Sequence, residues 1–288
     1  MKLEYIVTGE EKMLKEFILE MGISRALARK IKLYGEMYIN DEVAKNYFLV
    51  KENDKVTLIY NETLNEEINE VESDIEILYE DEYLMVVFKE SNLASQPSHR
   101  HQEDNLISHV KSYFIKNGIT SNIHLVNRLD FSTSGILIIA KDGYTHYELT
   151  KNNDIIRKYL AIVEGILSKK EDRIIVKIER VEEGNIKRMV REDGKIAITN
   201  YKVIKEYQNE SLIELDLETG RTHQIRVTMA HLNHPLIGDK LYGTEKDDLM
   251  LHCYYLKFYH PFLKKDIEVK KLPNWDKYLK DIEKLHNF

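Results

Sequence analysis

The sequence predicts an α+β protein, in which a mixed, mainly antiparallel sheet carries a few helices and follows a small α/β module. Three observations predict it. From residue 75 onward, short apolar runs of strand length succeed one another with few helical stretches between them, the pattern of a largely antiparallel sheet. Residues 13–34 carry their apolar side chains at helical spacing instead. Between the two, residues 61–74, NETLNEEINEVESD, are acidic and nearly devoid of large apolar side chains, the composition of a linker with little core of its own. A chain of 288 residues suffices for two domains of roughly 100–200 residues each. The expected division is a module over 1–60, an acidic linker over 61–74 and a larger domain over 75–288.

Each element follows from local pattern. Met13, Leu14, Phe17, Ile18 and Met21 form the apolar stripe of a first helix, and Gly22 is placed to stop it. Ser24 is suited to cap a second helix running to about Tyr34, because its hydroxyl can accept from an unpaired amide of the first turn. Leu27, Ala28 and Ile31 of that helix face a core. Arg25, Arg29 and Lys32 fall three and four residues apart on an exposed face with Lys30 nearby, and no acid interrupts residues 23–34. Gly35 ends the helix; residues 37–40 and 55–60 read as strands, with Asn40-Asp41 as a turn. In the larger domain, strands are expected at 83–88, 123–126, 136–140, 159–163, 173–178, 197–204, 212–217 and 250–255. Leu106, Ile107, Val110 and Phe114 mark a helix over 105–117. Ser132, Thr133, Ser134 and Gly135 form a break between two apolar runs, and the run 238–243, GDKLYG, reads as a sheet turn.

Composition narrows the function. No apolar run approaches the roughly 20 residues needed to cross a bilayer. The opening MKLEYIVTGEEKMLKEF has no secretory apolar core, so the cytoplasm is the expected compartment. The single cysteine, Cys253, excludes an internal disulfide and a thiolate zinc site. His223, His231 and His234 lack the helical spacing of a metal site, so no metal is expected. A net charge of −7 does not exclude a nucleic-acid partner, since charges interact over only about 8 Å at physiological salt and a local basic face suffices. A monomer is expected, because no exposed apolar stripe demands a partner.

Two segments carry the chemistry. HLVNRLDFSTSGILIIAK, from His124 to Lys141, puts Arg128 and Asp130 where a rigid sheet gives way to a loop, held firmly yet able to reach a substrate. GRTHQIRVTMAHLNHPLIGDKLYG, from Gly220 to Gly243, is the second. Together they resemble the RluA family of pseudouridine synthases, which isomerise uridine within RNA, in the Arg-Leu-Asp, Thr-Ser-Gly and Gly-Arg-Thr-His-Gln-Ile-Arg patterns. The resemblance runs from about Ile75 to Tyr259. The helix, basic helix and hairpin order before it resembles the S-four-like RNA-binding module, whose basic helix lies on RNA phosphates. It implies that Arg25, Arg29, Lys30 and Lys32 bind RNA. An ordinary solvated cationic face is the alternative.

The resemblance implies a fold and an activity: a pseudouridine synthase catalytic domain acting on structured ribosomal or transfer RNA. The reaction is an isomerisation, so it needs neither redox cofactor nor nucleotide energy. Asp130 matches the family's catalytic aspartate, which either attacks the ribose anomeric carbon or removes a ribose proton to give a glycal-like intermediate. Arg221 is implied as its counter-charge, and Tyr159 as the ring against the target base. Arg128 is implied to fill the place of the flipped-out uridine. Asn127 stands where the family usually has histidine; together with His223 and Arg226 it is expected to position RNA. At 88–93, FKESNL replaces the usual Lys-Pro-Ala-Gly-Leu pattern but keeps Lys89 and Leu93. Two other readings stand beside this one. A non-catalytic RNA-binding protein that keeps the fold is favoured only by Asn127 and the altered turn. A small-molecule hydrolase using Asp130 lacks a paired acid or a His-nucleophile motif.

Overall fold

Residues 1–98, 101–103, 105–152, 154–243 and 248–284 are described by a computed structural model of the chain. The N-terminal part follows its local signals. Strand β1 (Lys2–Ile6) precedes β2 (Lys12–Met13), helix α1 (Leu14–Glu20) and helix α2 (Arg25–Tyr34). Ser24 caps α2 by accepting from the Leu27 amide at 3.2 Å, and Gly35 ends it. Then come β3 (Glu36–Ile39), β4 (Glu42–Val43), β5 (Leu49–Val50) and β6 (Lys55–Ile59). β1 was not expected; it pairs with β6 in a four-stranded sheet ordered β1-β6-β3-β4. Leu14, Phe17, Ile18, Ile23, Leu27 and Ile31 fill a core between the two helices and this sheet. Burying such a side chain stabilises by roughly 1.5–3 kcal/mol, which is what closes so small a module.

The larger part begins with β7 (Ile77–Glu80), β8 (Leu84–Lys89) and α3 (Leu106–Lys116). Next are β9 (His124–Leu125), β10 (Ser134–Ala140) and α4 (Gly143–Thr150), followed by β11 (Ile156–Glu164), β12 (Glu171–Arg180) and β13 (Arg188–Val190). β14 (Lys195–Glu206), β15 (Glu210–Leu217), α5 (Gln224–His231), β16 (Leu251–His260), β17 (Lys265–Lys270) and α6 (Leu279–Glu283) complete the described chain. One sheet runs β13-β12-β14-β15-β11-β16-β10-β8-β7, with β17 on β16 and β9 on β10. Among the described residues its strands pair antiparallel except β10 with β16, where Ser134 faces His252 and Gly135 faces Cys253. Leu84 to Val87 and Ile136 to Ala140 are fully buried and share one core with Leu106, Val110 and Phe114 of α3.

Several expectations change. Gly135 is not in a break but inside β10, at φ +131°, and a Cβ there would run into the Cys253 carbonyl of the parallel neighbour. The strand expected at 123–126 shrinks to two residues. Helices α4 and α5 were not expected, because Tyr, Thr, Val and His are weak helix formers. Asp142 starts α4 by accepting from the Tyr144 and Thr145 amides, both at 2.8 Å. Residues 61–74 hold no helix or strand, yet they do not stand free. Leu64 and Ile68 pack on the main core, and Lys111 of α3 donates to the Asn65 and Ile68 carbonyls. None of the described helices is long and apolar enough to cross a membrane.

Candidate active site

Asp130 is placed by its neighbours rather than by its own side chain. Leu129 before it is buried, and the Ser95 hydroxyl donates to the Leu129 carbonyl at 2.7 Å while accepting its amide at 3.2 Å. After it, the Thr133 amide bonds the Asp130 carbonyl at 3.0 Å, closing a turn. Beneath the turn lies Lys89, fully buried, whose ammonium donates to the carbonyls of Glu90, Leu93 and Phe131 at 2.7–3.2 Å. Burial pulls that ammonium down to about 7, with the charge of Asp130 pulling the other way. Lys89 thus ties the altered 90–93 loop to the turn carrying Asp130.

Helix α5 supplies the opposite wall. The Gln224 side chain accepts from the Arg221 amide and the Thr219 hydroxyl, and donates to the Ile198 carbonyl and the Thr199 hydroxyl. That fixes the turn before the helix against β14. His223, at the N-cap, adopts a left-handed φ of 57°, and Arg226 follows three residues on, so both project from one face. His223 Nε2 and Arg226 Nη1 each lie 3.9 Å from an Asp130 carboxylate oxygen. The rest of the Arg226 fork is held by Asp239, bidentate at 2.7 and 2.8 Å and 1% exposed, and its guanidinium lies 5.2 Å from the Tyr242 ring centre. Tyr242 accepts the Arg188 amide at 2.7 Å and meets His223 Nδ1 at 2.8 Å. A neutral ring that accepts this hydroxyl's proton at Nδ1 carries its own on Nε2, the nitrogen facing Asp130. Burial lowers the His223 pKa, favouring that neutral form.

Between these walls is a cleft of about 660 Å³. Its described lining contains five arginines (Arg128, Arg157, Arg180, Arg221 and Arg226) and one acid, Asp130, so the floor is anionic at a single point in a cationic surround. Tyr159 on β11 also lines it, and burial pushes the phenol well above 10, so the ring serves as a neutral face. A smaller hollow of about 380 Å³ over β12, β14 and β15 is lined mainly by acids, its Arg173 forked onto Glu218, and offers no comparable centre.

The segment that forms most of this cleft is similar to known proteins. A family model described as RNA pseudouridylate synthase matches residues 83–231, just over half of the chain. The uncharacterized RNA pseudouridine synthase YjbO of Bacillus subtilis (strain 168) is 35% identical over 261 residues, 88% of this chain and 92% of its own length. The chain belongs to the RNA pseudouridine synthase family, of the RluA type. Ribosomal large subunit pseudouridine synthase D of Zymomonas mobilis is 33% identical over 215 residues, 67% of this chain and 68% of its own. Among solved structures, Human RNA Pseudouridylate Synthase Domain Containing 1 superposes with a TM-score of 0.58 over 73% of this chain and 95% of that one. At 23% identity that superposition speaks for the fold alone.

The synthase corrects three expectations about its site. Arg221 is not at the carboxylate. It is exposed and its Nε donates to the Ile196 carbonyl, because the Gln224 bonds turn residues 219–221 toward β14. Among the described residues, the guanidinium within 4 Å of Asp130 is Arg226, at 3.9 Å, a residue expected to touch RNA. Asn127 is buried, with its side chain accepting the Ile138 amide at 2.8 Å and donating to the Ile136 carbonyl at 3.4 Å. It latches the approach to Arg128 onto β10 from within the cleft lining. Arg128 is exposed in the cleft, and Arg25, Arg29, Lys30 and Lys32 lie on α2, all four exposed. Asp239 and Tyr242 were not expected at the site, because the GDKLYG run has the composition of a sheet turn. A signal for them exists: Asp239 is the only acid in the second motif, and His-Gln-Ile-Arg is a helical i, i+3 spacing.

Proposed function

We propose that this synthase converts particular uridines of structured ribosomal or transfer RNA to pseudouridine without any cofactor, with Asp130 as the catalytic carboxylate. The observation that carries the reading is Asp130, the one acid among the described lining of a cleft that also presents five described arginines, flanked at 3.9 Å by Arg226 and His223. Phosphodiester oxygens would engage Arg128, Arg180 and Arg221, while the uracil of the extruded nucleotide lies on the Tyr159 ring, a contact worth about 1–3 kcal/mol. Arg128 would occupy the gap left in the RNA stack and offset part of the few kcal/mol that extrusion costs. Arg226 sets a positive charge 3.9 Å from Asp130 beside the ribose, and the ionised carboxylate is the form required both for attack on the anomeric carbon and for removal of a ribose proton. His223 borders the carboxylate at 3.9 Å as a neutral group. The glycosidic bond breaks, the base turns and a carbon–carbon bond replaces it. No electrons leave the substrate, so no redox partner is required.

The test uses purified protein with transcribed ribosomal and transfer RNA and no added nucleotide, followed by chemical mapping of pseudouridine. Modification by the native chain and none by Asp130→Asn is the expected result. Equal modification by both would remove Asp130 from its role, and binding without modification by either would turn the reading toward a non-catalytic RNA binder.

A further inference from the structure

The acidic segment after the N-terminal module contains one residue that behaves unlike the rest of it. Glu62 has a carboxylate only 6% exposed. One of its oxygens meets His124 Nε2 at 2.6 Å, and the other accepts the Gly143 amide at 3.3 Å. The fit is close, since a Cβ on Gly143 would come within 2.9 Å of that carboxylate. Lys30, on the basic helix α2, contributes to the electrostatic environment of the same carboxylate. A second contact lies beside it. Tyr144 of α4 is 6% exposed and belongs to the core of the N-terminal module, where its hydroxyl meets that of Tyr5 at 3.0 Å. Phe262 packs on the same core and stacks on Tyr83 with ring centres 4.1 Å apart. The module is therefore seated on α4 and β9 by aromatic contacts and by a buried carboxylate.

The place of that seat matters. His124 opens β9, and the chain runs directly from it to Arg128 in the cleft. Four residues span at most about 14 Å. Helix α2, whose Leu27 and Ile31 share a core with Tyr144, is thus seated beside the strand that Glu62 bonds and that leads into the cleft wall.

We propose that Glu62 is a positioning residue that locks the basic helix α2 beside the catalytic cleft, so that both engage one folded RNA at a fixed separation. This rests on the RNA-modifying function proposed above. Two binding elements joined at a set distance raise each other's effective concentration, and the gain is greatest for an RNA whose shape matches the span. Target choice would then depend in part on this latch. An RNA that presents its uridine in the cleft but has no phosphates at α2 would be indifferent to it.

The full-length chain tests this with Glu62→Ala, Glu62→Gln and Gly143→Ala. Glutamine can still accept from Gly143 and pair with a neutral His124, so Glu62→Gln should stay near the native protein. For Glu62→Ala and Gly143→Ala we expect KM on a long folded substrate RNA to rise about tenfold, a loss of about 1.4 kcal/mol in binding. We expect kcat within about twofold and no change of KM on a minimal stem-loop filling only the cleft. An equal rise on both substrates, or none on either, would overturn the latch. A second readout needs no catalysis. Spin labels at Glu52→Cys and Glu171→Cys, both exposed, should give a narrow distance distribution in the native background and a broadened one with Glu62→Ala. Equal widths would also overturn it. Absence of pseudouridine from the native chain itself would instead strike the proposed function, leaving the distance measurement to decide the latch.

Discussion

A single guanidinium separates the two arginines of the Gly-Arg-Thr-His-Gln-Ile-Arg motif in consequence. Arg226 is 5% exposed, forked onto Asp239 and 3.9 Å from Asp130, whereas Arg221 lies exposed against a backbone carbonyl. Lysine keeps the charge but not the fork, so Arg226→Lys should lower kcat by on the order of 100-fold, and Arg221→Lys by far less. Single-turnover kinetics on one RNA checks the pair, and equal losses would restore Arg221 to the carboxylate. Asp239→Asn should destabilise by roughly 3–5 kcal/mol, since it leaves a buried guanidinium uncompensated, and urea unfolding reads this. That Asp130 and Tyr159 line one cleft was legible in the sequence, because motif and strand pattern coincide at both. The choice between Arg221 and Arg226 was not, because it depends on where α5 begins, and that is fixed by the four hydrogen bonds of Gln224.

At the level of elements, apolar runs located the sheet well. Ile136 to Ala140 and Leu84 to Val87 are buried on both faces and read as strands for that reason. Helix α3 begins where Asn105 caps it, its side chain accepting the Ser108 amide at 3.1 Å. Helices α4 and α5 were invisible because tertiary burial, not propensity, holds them; residues Gln224 to Met229 are all buried. The short β9 has its own explanation. Asn127 takes over the hydrogen bonds of the β10 backbone at Ile136 and Ile138, where a longer strand would have paired. Asn127→Ala should cost about 1–3 kcal/mol by orphaning a buried amide and loosening Arg128. Thermal denaturation measures the cost, and a change below about 0.5 kcal/mol would mean that this side chain holds nothing in place.

For the whole molecule, the net charge of −7 coexists with a cationic cleft and a cationic helix. Replacing Arg25, Arg29 and Lys32 by alanine should weaken RNA binding and flatten the log-log salt slope by roughly 0.7–0.9 for each phosphate the helix no longer neutralises. An unaltered slope would take α2 out of the interface. Acid stability should turn on His252, which is 1% exposed, sits 2.8 Å from both the Ser134 hydroxyl and the Lys271 carbonyl, and is driven by burial from 6.5 to about 4. The folded pKa is the lower one, so the stability is present above 6.5 and is lost as pH falls toward 4. Between those values the unfolded chain holds a proton the native ring refuses, which amounts to about 3 kcal/mol in all. Unfolding free energies measured from about pH 7 down to about 4.5 should fall more steeply for the native protein than for His252→Gln.

Strand β16 lies between β10 and β11, so the turn bearing Asp130 and the ring of Tyr159 are joined through residues made long after both. A ribosome still translating residue 240 would carry every catalytic side chain and no working centre. Nascent chains should therefore be inert toward nearby RNA until β16 threads into its slot, and a chain cut before Leu251 should never gain activity.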